Sequence, residues 1–173
     1  MVGLTPVGCI RLLGGSLSVV AGAVAGIASA LADTPLSPPQ TYTVCSATKA
    51  FCATSDATAD VTLVRDASGA DLWRVAGWHR SIFVSDDGRY VAIGYPGLNL
   101  ASTSITLSDA MVTFHDRAGV AGRVRLFQLY RDVSRMKRTA SHYLWGSVVG
   151  FRRGNVLEIA LADGRRLRFK PRR

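Results

Sequence analysis

The feature that most constrains this chain is its punctuation: short β-prone runs alternate with glycine and aspartate turn signals. Asp86-Asp87-Gly88 separates residues 81–85 from 89–94 and is the clearest hairpin signal, because Asp-Gly supplies the positive φ that tight hairpin turns require. Asp116-Arg117-Ala118-Gly119 stands between 111–115 and 120–126, and Ala162-Asp163-Gly164 stands between 156–161 and 165–169. Both read as further hairpins. Upstream, residues 41–44, 51–54, 61–64 and 72–76 form a first group of strands. The expectation is an all-β fold of antiparallel hairpins.

Two segments depart from that pattern. Leu126, Leu129, Tyr130, Val133 and Met136 fall at helical spacing, with Arg125, Arg131, Arg135 and Arg138 mostly on other faces, which predicts a short helix over about 127–137 covering a sheet edge. Thr34-Pro35-Leu36-Ser37-Pro38-Pro39 cannot form regular helix or a central strand, because proline lacks the amide donor and constrains the residue before it. Residues 33–40 therefore read as an extended linker, followed by a single β-rich domain over 41–173.

A faint repeat organises the strands. Val61-Thr62-Leu63-Val64-Arg65-Asp66-Ala67-Ser68-Gly69 matches Met111-Val112-Thr113-Phe114-His115-Asp116-Arg117-Ala118-Gly119 at an offset of 50 residues, and Ala160-Leu161-Ala162-Asp163-Gly164 echoes the turn. With Phe83-Val84-Ser85-Asp86-Asp87-Gly88-Arg89-Tyr90-Val91-Ala92, followed later by a strand and a turn, the chain resembles blade sequences of the β-propeller superfamily. That resemblance implies four-stranded antiparallel units. It covers about half of the domain and lacks the usual Trp-Asp ending. A period near 50 residues leaves room for fewer than three blades, so the expectation is an open meander, a sandwich or blade-like units completed by a partner, not a closed monomeric propeller.

Ahead of the linker, residues 1–32 carry one charge, Arg11, and an apolar, small-residue run over 12–32 that ends in Ala30-Leu31-Ala32 before Asp33. This is the pattern of a cleavable export signal. The competing reading is an uncleaved anchor, since the run is about as long as the roughly 20 residues that span a bilayer. Its many Gly, Ala and Ser residues make it weakly hydrophobic and favour cleavage. Cys9 precedes the apolar run, where a lipidated cysteine would follow it. Cleavage would leave Cys45 and Cys52, an even pair that predicts a disulfide in a periplasmic or extracellular protein. So short a loop staples a hairpin and does not define the fold.

Charge is divided unevenly. The chain carries a net charge of +9, but residues 33–116 hold five basic and nine acidic side chains, whereas 117–173 hold fifteen basic and three acidic. The Arg-rich half points to an anionic partner, or to pairing between the halves. Nucleic acid would suit Arg123, Arg125, Arg131, Arg135, Arg138, Arg152, Arg153, Arg165, Arg166 and Arg168, but export argues against it. Outside the cytoplasm the available anions are lipid head groups, cell-wall polymers and acidic proteins, which arginine engages through bidentate bonds. A membrane partner is expected only if the leader stays uncleaved.

Trp78-His79-Arg80 and Ser141-His142-Tyr143-Leu144-Trp145-Gly146 join histidines to aromatics and could line one cleft, since aromatics and arginine dominate binding hot spots. The competing role for Trp73, Trp78 and Trp145 is as core anchors, each with its indole N–H on a carbonyl. A hydrolase would use Ser141 or Ser147 with a histidine and one of Asp86, Asp87 or Asp116, yet no Gly-x-Ser-x-Gly elbow occurs. Three scattered histidines, without Cys-x-x-Cys or His-x-x-x-His spacing, predict no metal, and no glycine pattern predicts a phosphate cofactor. Glu158, the only glutamate, should share a strand face with Val156 and Ala160.

The sequence thus reads as an exported, non-enzymatic binding module of the cell envelope. It would engage a protein or an anionic envelope component through Trp78, His79, Arg80, His142, Tyr143, Trp145, Arg152, Arg153, Arg165 and Arg166. The alternatives are a small secreted hydrolase using a histidine near Trp78 or Trp145, and a structural envelope subunit.

Overall fold

A computed structural model describes residues 35–171, so the leader assigned to 1–32 lies outside the described residues. Residues 35–40 run exposed and without regular structure into the first strand, as their prolines dictate. The rest is mostly antiparallel sheet, arranged as four small sheets, none of them closed.

Sheet A is a meander of β1 (Tyr42–Cys45), β2 (Phe51–Asp56), β3 (Val61–Asp66) and β4 (Asp71–Ala76). Sheet B joins β5 (Ile82–Val84) and β6 (Val91–Gly94) to β8 (Ala110–Asp116) and β9 (Gly119–Arg125), with β7 (Leu100–Ser102) in the connection. After β9 come α1 (Leu126–Leu129), a 3₁₀ turn (Val133–Arg135), β10 (Lys137–Arg138) and β11 (His142–Leu144). Strands β10, β11 and β7 make sheet C; β12 (Gly146–Arg152), β13 (Val156–Leu161) and β14 (Arg166–Phe169) make sheet D.

The sequence repeat falls on equivalent places. Residues 61–69 form β3 and its turn, and 111–119 form β8 and its turn, each the third strand of a four-stranded meander. The third echo covers the end of β13 and its turn. Aspartate side chains build these corners: Asp66 Oδ1 accepts from the Ser68 N–H at 2.8 Å, Asp116 Oδ1 from Ala118 at 2.8 Å and Asp163 Oδ1 from Arg165 at 3.0 Å. Asp87 does the same for Arg89.

Sheet B is buried on both faces. Val91 packs with Ile82, Val84, Ala53 and Val64 of the smaller cluster, while its neighbour Ala92 faces the main core with Met111, Phe114, Trp145, Leu157 and Ile159. Gly88 locks its turn to sheet A: the Phe51 ring lies where a Cβ would project, and Trp73 Nε1–H donates to the Gly88 carbonyl at 2.9 Å. The Cys45–Cys52 disulfide joins directly opposed residues of β1 and β2, a local staple.

The expected helix over 127–137 is not continuous. Only Leu126–Leu129 is α-helical; Tyr130 and Asp132 are extended, and Val133–Arg135 is one 3₁₀ turn capped by Asp132, which accepts from the Ser134 N–H at 2.8 Å. Leu126, Leu129, Tyr130 and Met136 are all buried, so the spacing records burial. The helix stops because Tyr130 is held elsewhere by its hydroxyl and Asp132 bonds its own backbone, an alternative to helix that Asp and Ser favour. Strands β7, β10 and β11 carried too little β signal to be expected, being two or three residues long, and β12 holds Gly146 and Gly150 with a register shift between Val148 and Gly150.

Candidate functional site

Sheets B and D touch where β5 meets β12, and a cleft of about 620 Å³ opens between their outer strands, β9 and β14. Its first wall follows from two periodicities meeting. Strand alternation buries Val124 and exposes Arg123 and Arg125; α1 then buries Leu126 and Leu129, which turns Phe127 and Gln128 outward. Phe127 is left 55% exposed. The corner is fixed by backbone bonds from Leu126 to Asp109 at 2.9 Å and from Phe127 to Leu107 at 2.8 Å. Gln128 accepts from the Arg125 N–H, and Arg125 Nη1 donates to the Ser108 carbonyl at 2.6 Å, which holds the guanidinium beside the cleft.

The opposite wall is β14, where exposed Arg166 and Arg168 alternate with half-buried Leu167 and Phe169 before exposed Lys170. Phe114 and Phe169 line the cleft, and Gly122, opposite Phe114 in the β8–β9 ladder, puts no side chain into it. Arg123, Arg125, Arg168 and Lys170 complete the lining with Phe127, and no carboxylate is among the described lining residues. Arg123 and Lys170 form no ion pair among the described residues. The described lining offers positive charge and aromatic faces.

No protein-family model, curated protein or solved structure matches the chain. The residues singled out from the sequence fall in several places. Trp145 is buried in the main core, 1% exposed, with its indole N–H on the Leu98 carbonyl at 2.7 Å. Trp78 donates to Gln40 at 2.8 Å and carries Arg80 stacked over its ring at 5.0 Å. With Trp73 on Gly88, all three indoles bond a carbonyl, the arrangement of anchors. His79 belongs to the base of sheet A, its carbonyl accepting from the Tyr42 and Ser55 hydroxyls. His142 lies on β11 of sheet C, its Nδ1 2.9 Å from the Ser141 hydroxyl, and the neighbouring Tyr143 packs on the main core.

The four arginines expected in the C-terminal half divide likewise. Arg152 and Arg166 bond Glu158, and Arg168 approaches it at 3.7 Å. The Glu158 side chain is 5% exposed, sealed under these guanidiniums on one face of sheet D, and hydrogen bonds from Arg152 and then Arg166 hold its carboxyl below the usual range. Arg165 bonds Asp163 at 2.7 Å and the Leu129 carbonyl at 3.1 Å. Arg153 is exposed beyond the end of β12. Carboxylates of the chain itself therefore bond Arg152, Arg165 and Arg166 and approach Arg168, while Arg123, Arg125 and Lys170 of the cleft form no ion pair among the described residues.

Sequence reasoning missed Phe114, Phe127, Phe169 and Lys170 as site residues. Phe127 was readable as the aromatic between two buried leucines, and Arg166-Leu167-Arg168-Phe169-Lys170 as a period-2 strand with one basic face. Elsewhere, burial lowers the pKa of His79, and burial with the nearby His79 lowers that of His115. Burial also pushes the Tyr42 phenol up to about 12. Among the described residues no group of three or more His, Cys, Asp or Glu side chains could hold a metal ion, and no helix is long and apolar enough to cross a membrane.

Proposed function

We propose that the chain is an exported, non-enzymatic binding module of the cell envelope, made of blade-like hairpin units, that holds an anionic partner in the cleft between β9 and β14. The observation that carries this reading is the convergence of Arg123, Arg125, Arg168 and Lys170 on an open, aromatic-lined cleft without a carboxylate in its described lining. Such a site raises the local concentration of anions and favours flat or apolar anionic groups over small hydrated ones. The leader pattern and the Cys45–Cys52 bridge support an oxidising, extracytoplasmic setting, where envelope polymers and acidic proteins supply the anions.

Retention on a sulfated-polysaccharide resin tests the proposal. The disulfide-bonded protein should bind at low ionic strength and elute as salt rises, because exposed charges are screened over about 10 Å at 0.1 M. Arg123→Ser and Arg168→Ser should each elute markedly earlier. Arg74→Ser, which removes an exposed charge from β4 of sheet A, should elute close to the wild type. Failure to bind at low salt, or an equal shift for all three variants, would refute the cleft as the site.

A further inference from the structure

Strand β14 ends sheet D, and its outer edge carries no neighbouring strand among the described residues. The Leu161 N–H donates to the Arg165 carbonyl at 2.8 Å, and counting by two along the antiparallel ladder gives Leu167 and Phe169 as the next residues bonded to β13. The amides and carbonyls of Arg166 and Arg168 therefore point away from the sheet, toward an unfilled strand position. Their side chains share the face of Glu158, whereas Leu167 and Phe169 lie on the other face, against the main core. A strand added here would meet two environments in alternation: on one face the guanidiniums of Arg166 and Arg168, whose charge the single Glu158 carboxylate offsets only in part and of which Arg168 also lines the cleft, and on the other Phe169 beside the exposed Phe127.

Resting on the anion-binding reading of the cleft, we infer that its partner is a protein segment that joins sheet D as a strand along β14, with acidic side chains at every second position and apolar ones between. Backbone donors and acceptors at strand spacing match an extended polypeptide, which a sugar polymer cannot reproduce. Cationic side chains also protect sheet edges from indiscriminate pairing, and an acidic strand is the kind that they admit. A second copy of the chain fits less well, because its net charge of +9 opposes approach to a basic edge.

The probe is a short synthetic peptide of alternating aspartate and valine, in three forms: unmodified, N-methylated on the aspartate amides, and N-methylated on the valine amides. An aspartate opposite Arg166 or Arg168 turns its own N–H toward β14, so methylation there removes ladder bonds, while methylation on valine alters only the outer edge. The expected result is binding of the unmodified and valine-methylated forms, and an affinity lower by about tenfold or more for the aspartate-methylated form. Amide exchange at Arg166 and Arg168 should slow by about tenfold or more in the complex.

Equal binding of all three forms without change in exchange would overturn strand addition and leave the anion site standing. So would peptide failure alongside salt-dependent retention on the polysaccharide. Loss of both peptide and polysaccharide binding would overturn the two readings together.

Discussion

Replacing Tyr130 by Phe tests how the basic half is held together, because one hydroxyl there ties three segments. Tyr130 is buried beyond the end of α1; its hydroxyl donates to the Trp145 carbonyl at 2.6 Å and accepts from the Ala162 N–H at 3.2 Å. It thus links the segment after α1 to the junction of β11 with β12 and to the β13–β14 turn. The substitution keeps the ring and leaves almost no cavity. The Ala162 N–H also reaches the Trp145 carbonyl at 3.2 Å, so neither partner is orphaned when the hydroxyl goes. The cost is then that of net hydrogen bonds, about 1 to 1.5 kcal/mol, and not the larger penalty of buried unsatisfied groups. For a domain of this size that lowers Tm by about 3 to 6 °C. Tyr130→Ala, which also empties the ring's site, should cost about 3 to 5 kcal/mol. Urea unfolding followed by tryptophan fluorescence, with the disulfide intact, measures both. A Phe variant as stable as the wild type would refute the bridging role, and a loss above about 3 kcal/mol would refute the mutual rescue of Trp145 and Ala162.

Gly88→Ala should destabilise the junction of sheets A and B by about 2 kcal/mol or more, because φ is +65° and the new Cβ would lie 2.4 Å from Phe51 Cδ1. Adding Phe51→Ala should leave the strain of φ while relieving the contact, so calorimetry of the double variant should show less than additive loss. Burial depresses the pKa of His79 and His115, so the unfolded chain takes up protons first as pH falls. Their contribution is complete above the ordinary value of 6.5 and is lost as pH drops through it toward the lower folded values. His79→Gln should flatten that acid slope in pH-dependent unfolding, and an unchanged slope would count against a buried neutral imidazole.

How legible the fold was depended on whether a signal was local. Asp87, Asp116 and Asp163 each bond their own backbone two residues on, so the corners of the hairpins could be read without any tertiary information. The helix over 127–137 could not, because the same spacing of Leu126, Leu129, Tyr130 and Met136 serves a buried irregular segment as well as a helix. Its real shape depends on the Trp145 carbonyl, fifteen residues away from Tyr130. Sheet C was hidden for a related reason: β7 and β11 have so few residues that only their pairing makes them strands. The site was legible as a charge excess but not as a place. Arg152 and Arg166 differ from Arg123 and Lys170 in that Glu158 lies within reach, a matter of sheet register, while Arg165 meets Asp163 within its own turn.

That difference turns a diffuse composition into a located site. An evenly basic half of the chain would attract anions without orienting them, since net charge alone governs non-specific association. Here Glu158, as the only glutamate, sits on the inner strand of sheet D and holds arginines from both neighbouring strands, which orders that face and partly neutralises it. Among the cations without an ion pair in the described residues are Arg123 and Arg125 of β9, which confront Lys170 beyond β14 across exposed Phe127. Replacing Glu158 would therefore loosen the arginines of sheet D and spread the positive field over its face. Anion binding would lose orientation before it lost strength, because the charge at the cleft itself would remain.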